Sequence, residues 1–131
     1  MRTGLSVGLH IREVLASSPS FRSLASERVF SYPAEQNAAL PYVTYSMSNL
    51  SPDYTKDGWA GDSTMATVEV VATDATAATL LAEVVREVLE DKGVDTSEWS
   101  VGPGVLARAI SGYNLDLGLS VVSMDFAFNV K

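Results

Sequence analysis

The chain has 131 residues, 47% of them hydrophobic, so it is long enough to bury a core. Its 9 basic and 16 acidic side chains leave a formal charge of −7, which argues against duplex DNA as a ligand, because proteins bind DNA mainly by neutralising phosphates. The absence of cysteine excludes disulfides, thiolate metal sites and a thiol nucleophile.

The first residues do not form a targeting segment. Their apolar run is interrupted by Gly4, Ser6 and Gly8 and ends at His10, so we expect no signal peptide. No apolar run approaches the roughly 18 residues of a membrane span, so we expect no membrane segment. We expect a single domain over residues 1–131.

The amino-terminal third is predicted to be helical and then briefly extended. Residues 5–16 place Val7, Ile11, Val14 and Leu15 on one helical stripe. Residues 21–26 are predicted to add a helical turn, and residues 27–32 to form a short edge strand before a linker over residues 34–39.

Two strands and a helix follow from residue 40. The first strand begins at Pro41 and runs to Met47, and the second, over residues 64–73, alternates with period two. Residues 48–63 between them are polar and rich in turn formers, which predicts a loop. The helix then begins at once, with Thr73 or Asp74 as its cap. Its apolar stripe contains Ala78, Leu81, Ala82, Val85, Val88 and Leu89.

The carboxyl-terminal part contains one clear strand. Residues 91–104 are predicted to form a long connection around Trp99, and residues 105–117 a poorly alternating strand. The last strand then alternates large inward side chains with mostly polar outward ones. Its inward row is Val122, Met124, Phe126, Phe128 and Val130. Together these elements predict an α+β fold, with an antiparallel sheet of about four strands and two helices packed on one face.

No residue pattern predicts catalysis. His10 is the single histidine, and a hydrolase that uses it would need a nucleophile and an orienting carboxylate that the sequence does not indicate. Zinc would need three or four suitable ligands. The segment over residues 53–62 contains Asp53, Asp57 and Asp62, but their spacing differs from that of a calcium loop. We therefore expect a non-enzymatic protein without metal or cofactor.

The order of five segments resembles that of the tail completion, or tail terminator, proteins of tailed bacteriophages and prophages. The likeness covers roughly residues 5–130. The segments are Arg28-Val29-Phe30, Leu40-Pro41-Tyr42-Val43-Thr44-Tyr45, Val68-Glu69-Val70, Val84-Val85-Arg86-Glu87-Val88-Leu89 and Met124-Asp125-Phe126.

The resemblance implies a structural virion protein that caps the tail tube and joins it to the head or neck. It implies a homo-oligomeric ring, commonly a hexamer, with the tail tube protein and head or neck connector proteins as partners. The protein would be made in the host cytoplasm and located in the virion. The alternative is a soluble α+β regulatory or ligand-binding module that pairs through a sheet edge, which would need a pocket with convergent polar groups.

The candidate contact residues lie in the polar segment over residues 48–63. Tyr54 and Trp59 are large rings in a segment otherwise suited to solvent, and aromatic side chains are enriched at interface centres. Around them we expect a charged rim. The predicted inter-subunit or partner contacts are Asp53, Tyr54, Lys56, Asp57, Trp59 and Asp62.

Overall fold

The computed structural model describes residues 1–131, in which a 3₁₀ turn at Gly4–Ser6 precedes three α-helices and seven β-strands. The helices are α1 (Val7–Ala16), α2 (Pro19–Ala25) and α3 (Ala75–Asp91). The strands are β1 (Val29–Ser31), β2 (Tyr42–Thr55), β3 (Gly58–Ala72), β4 (Val94–Asp95), β5 (Ser100–Val101), β6 (Val105–Asn114) and β7 (Leu119–Val130). None of the helices has both the length and the apolar content needed to cross a bilayer.

All seven strands belong to one curled sheet. The antiparallel strands β2, β3 and β7 lie side by side. The other side of β7 pairs with β6 and, at its end, with β5, which in turn pairs with β4. Strand β1 runs parallel to β2. The predicted antiparallel sheet of about four strands with two helices is therefore wrong in strand number, helix number and strand direction, although the fold is α+β overall.

The core forms between strand β7 and helix α3, whose apolar rows were both predicted from the sequence. Val122, Met124, Phe126 and Phe128 are buried, as their alternation in β7 predicts. The α3 stripe is also buried, except that Val88 is only partly covered. Helices α1 and α3 contact each other and the sheet, so the apolar rows of strand and helix exclude water from one another.

The start of α3 confirms its predicted cap. Asp74 is the N-cap residue, and its Oδ1 accepts a hydrogen bond of 2.8 Å from the backbone N–H of Ala77. This contact satisfies one of the donors that a helix start leaves free. The short strand β1 and the helical turn α2 also form, close to their predicted bounds.

The predicted loop over residues 48–63 is wrong, because this segment continues β2 and β3 as a hairpin. Register pairs run from Tyr42 with Val71 to Thr55 with Gly58, with irregularities between Met47 and Asn49 and between Asp53 and Tyr54. The segment is polar because its distal part extends past the core, where side chains on both faces of a strand meet solvent. A hydrophobic alternation is therefore missing even though the backbone is paired.

The predicted connection over residues 91–104 also contains strands that the pattern did not indicate. Strands β4 and β5 have two residues each, too short for any periodicity. They place Trp99 in the core, where it is buried beside α1.

The two hairpins lie at opposite ends of the sheet. Strand β3 pairs with β7 from Asp62 with Val130 to Ala72 with Ser120. The β2–β3 turn therefore lies beyond the first end, and the β6–β7 turn lies at the second.

We expect Phe126→Ala to lower the free energy of unfolding by about 3–5 kcal/mol, since the ring is fully buried and its loss leaves a cavity. Denaturant titration measures the change. Leu117→Ala is the control, because that side chain is exposed and its loss should change stability by less than about 0.5 kcal/mol. An unchanged denaturant midpoint for Phe126→Ala would refute this packing.

Candidate subunit-contact surface

Four of the six predicted contact residues lie on the distal part of the β2–β3 hairpin. Asp53, Tyr54, Lys56 and Asp57 are all exposed there, and Lys56 and Asp57 form the turn itself. Tyr54 has 67% of its surface in contact with solvent. This hairpin tip, residues 53–57, therefore presents one aromatic ring among three charged side chains.

The other two predicted residues are hydrogen-bonded to each other: Trp59 lies opposite Tyr54 in the ladder, and Asp62 lies at the base of the hairpin. Asp62 is only 6% exposed. Its Oδ1 accepts a hydrogen bond of 2.9 Å from Trp59 Nε1, and its Oδ2 accepts one of 2.7 Å from the backbone N–H of Gly4. A Cβ added at Gly4 would lie 2.7 Å from the Asp62 Cβ, so this approach requires glycine. These contacts tie the amino terminus to the hairpin.

Exposed apolar side chains form a second candidate surface on the β6–β7 hairpin, which was not among the predicted contact residues. Ile110, Tyr113, Leu115 and Leu117 are exposed there, Leu115 to 85%. The signal was the sequence Asn-Leu-Asp-Leu-Gly at residues 114–118, in which two leucines lie within a turn. Large apolar side chains at a turn are unusual unless a partner covers them.

A carboxylate on α3 attaches the start of β6 to the helix layer. Glu90 Oε2 accepts a hydrogen bond of 3.0 Å from the Leu106 N–H, and Glu90 Oε1 accepts one of 2.8 Å from Arg86 Nε. Both bonds favour the charged carboxylate and lower the pKa of Glu90. Glu90 is therefore more than a solvated helix residue, since it positions the edge strand β6.

His10 packs inside the protein. Its ring lies edge-on to the rings of Trp99 and Phe128, at centroid distances of 5.9 and 5.7 Å. Burial lowers the pKa of His10, and the nearby Glu13 carboxylate only partly opposes this effect. The arrangement favours a neutral imidazole with a packing role.

No metal centre emerges, and the depression beside the hairpin base is not a typical ligand pocket. No group of three or more His, Cys, Asp or Glu side chains is arranged to hold a metal ion. Asp53, Asp62, Asn129 and Lys131 do border an open depression of about 370 Å³ beside the hairpin base. Only two of its ten lining residues are hydrophobic, whereas small-molecule sites are mostly apolar, so the depression does not favour the ligand-binding alternative.

We expect Asp62→Ala to lower the free energy of unfolding by about 1–3 kcal/mol, since it leaves two donors at the hairpin base without their acceptor. Chemical denaturation is the measurement. Asp53→Ala removes the same charge from an exposed position of the same hairpin and should have little effect. Equal losses in the two variants would show that the Asp62 hydrogen bonds contribute nothing.

His10 makes stability depend on pH in a defined direction. Its pKa in the folded chain lies below the ordinary value of 6.5, so the unfolded chain binds more protons between these two values. The His10 contribution is thus present above pH 6.5 and is lost as the pH falls towards the folded pKa. Between about pH 7.5 and 5.5, the unfolding free energy of the wild type should fall more steeply than that of His10→Gln. Parallel curves would contradict this prediction.

Comparison with known proteins identifies the family. The family model described as Tail completion protein gp17 matches residues 10–130. A chain from the virion of a native gene transfer agent (GTA) particle matches with a TM-score of 0.78 and 16% identity, covering 92% of this chain and 90% of that chain. A second solved chain matches with a TM-score of 0.52 and 14% identity, covering 93% of this chain and 95% of the other.

At these identities the two solved chains show a shared fold alone. No curated protein matches the sequence. The family match, in contrast, spans nearly the whole chain and confirms the resemblance noted from the order of its segments. The chain belongs to the Tail completion protein gp17 family, a family of structural virion tail proteins.

Proposed function

We propose that this protein completes the phage tail by capping the end of the tail tube and joining it to the head or neck. It acts without catalysis, as a homo-oligomeric ring located at the tail or neck of the virion. Its partners are further copies of itself, the tail tube protein and head or neck connector proteins. Family membership supports this role.

The observation that carries the proposal is the projecting β2–β3 hairpin. Its distal strands extend past the end of β7 at Val130, so they lack the third strand that a hairpin needs for independent stability. The exposed ring of Tyr54 lies on this extension. A contact with a neighbouring subunit or tail partner would cover the ring and add support to the hairpin.

The six predicted contact residues have two tasks in this proposal. The hairpin tip, residues 53–57, supplies the contact through Tyr54 and a charged rim of Asp53, Lys56 and Asp57. Asp62 supports the hairpin from its base through hydrogen bonds with Gly4 and with Trp59, which lies opposite Tyr54. The formal charge of −7 suits a ring through which DNA passes, since like charges disfavour adhesion.

We expect Tyr54→Ala to weaken ring formation or attachment to tails by about 2 kcal/mol or more, roughly thirtyfold, if the ring is an interface hot spot. Electron microscopy of purified protein and of particles from producing cells measures rings and completed tails. The double variant Tyr54→Ala/Trp59→Ala should lose them entirely.

Two controls separate contact from folding. Tyr32→Ala removes a tyrosine that is equally exposed, at 64%, near the end of β1, and should leave assembly intact. Trp59→Phe keeps a ring but removes the donor to Asp62, so it reports the hairpin base alone. Normal tails from folded Tyr54→Ala protein would show that the hairpin tip is not part of the interface. A wild-type protein that joins neither ring nor tail would favour the regulatory-module alternative.

A further inference from the structure

Two edges of the sheet are open over equal lengths. Strand β1 pairs with β2 only as far as Tyr45, so the last ten of the 14 residues of β2, Ser46–Thr55, have no strand on their outer side. Strand β6, of ten residues, pairs with β7 on one side only and has no strand on its outer side, although Glu90 already accepts the hydrogen bond of its Leu106 N–H. A long open edge is a template for another strand, and proteins that do not use such an edge usually cover or shorten it.

The sheet topology makes these two edges complementary in direction. Between β2 and β6 lie β3 and β7, and each neighbouring pair is antiparallel. Strands β2 and β6 therefore run in opposite directions. A second copy that is shifted sideways along the sheet presents its β6 antiparallel to β2, with its helices on the same face as those of the first copy.

Charge selects one register for this contact. Asp53 is the single charged residue of Ser46–Thr55, and Arg108 is the single charged residue of β6. Arg108 pairs with Asp125, and Asp53 with Gly61, so both side chains lie on the face away from the helices. Antiparallel pairing of Arg108 with Asp53 overlaps nearly the whole of both edges.

The side-chain faces agree in this register over Asn49–Asp53 and Arg108–Gly112, the stretch between the irregularities of the two strands. Arg108 opposite Asp53 brings Ile110 opposite Ser51, and both pairs lie on the face away from the helices. Ser111 comes opposite Leu50, and both lie on the helix face, since they pair with Val122 and Thr64. In the single chain, Arg108 Nε lies 3.7 Å from Asp125 Oδ2 in an exposed pair of the kind that contributes little. The contact would place Arg108 between two carboxylates.

We propose that β6 of one copy pairs antiparallel with Ser46–Thr55 of the next, with Arg108 opposite Asp53, so that neighbouring sheets join around the ring. This inference rests on the proposed ring and names its interface. Alternate residues of each edge point their backbone groups outward, and the Leu106 N–H is already bonded to Glu90, so the contact gives at most about eight hydrogen bonds, within the range of protein interfaces. Pro52 has no backbone N–H, so it removes one donor from this set. Edge strands are where a sheet tolerates proline. A head-to-tail contact of this kind closes into a ring when its rotation permits.

Disulfide trapping between two different variants tests the register. The chain has no cysteine, so Ser51→Cys and Ile110→Cys introduce the only thiols. Equal amounts of the two variants are mixed under conditions of ring formation and oxidised. We expect at least about tenfold more covalent dimer than from Ser51→Cys mixed with Ser111→Cys, because the adjacent residue of β6 projects from the opposite face.

Each outcome decides between the two proposals. Selective trapping through residue 110 supports the edge contact. If rings form but cysteines at residues 110 and 111 give equal amounts of covalent dimer, or neither gives any, the proposed edge contact is wrong and the proposed ring still stands. Absence of any assembly with tails or with itself, measured on the wild type by light scattering and electron microscopy, overturns both. Circular dichroism of each single variant confirms folding, since all three positions are exposed.

Discussion

The pairing of β3 with β7 organises this molecule. Eleven register pairs run without interruption along these two central strands, and their inward rows form the floor on which α1 and α3 pack. The opposite face is also joined, where Thr67 Oγ1 donates a hydrogen bond of 2.8 Å to Asp125 Oδ1. Each further strand pairs with one of these two or extends from such a pairing.

The free surfaces follow from the different lengths of the paired strands. Strand β3 extends past the end of β7, so β2 and β3 continue as a two-stranded hairpin, and its base requires the hydrogen bonds of Asp62. Strand β6 covers most of β7 but has no strand on its own outer side. The hairpin projects because the central ladder ends before β2 and β3 do, whereas the two edges are open because β1 is short and β6 has no strand on its outer side.

The sequence predicted those elements whose side chains separate water from the core. Helix α3 and strand β7 could be recognised because each has one buried face, and the family resemblance followed from the order of such segments. The hairpin over residues 48–63 could not be recognised, since both faces of its distal part meet solvent and periodicity reports burial rather than pairing. The strands β4 and β5 are too short for a pattern, and the parallel direction of β1 depends on a connection that sequence does not specify.

The candidate site was predictable in part for the same reason. Exposed Tyr54 was found because a ring in a polar segment is conspicuous. The part that Asp62 plays at the hairpin base depends on Gly4, which is distant in sequence, and no local pattern reports such a contact. A strand was predicted over residues 105–117, where β6 forms, but its position as an open edge was not predicted, because its exposed apolar residues resemble a weak strand of the core.

The placement of the two turns at opposite ends of the sheet gives the subunit a direction. One end carries Lys56 and Asp57, and the other carries Leu115 and Leu117. Copies joined side by side in the same orientation would collect the charged turns on one rim and the leucine turns on the other. In the proposed ring, one rim would dock the tube and the other would present a different surface to the next tube subunit. Elongation would stop where that second surface does not match the tube subunit.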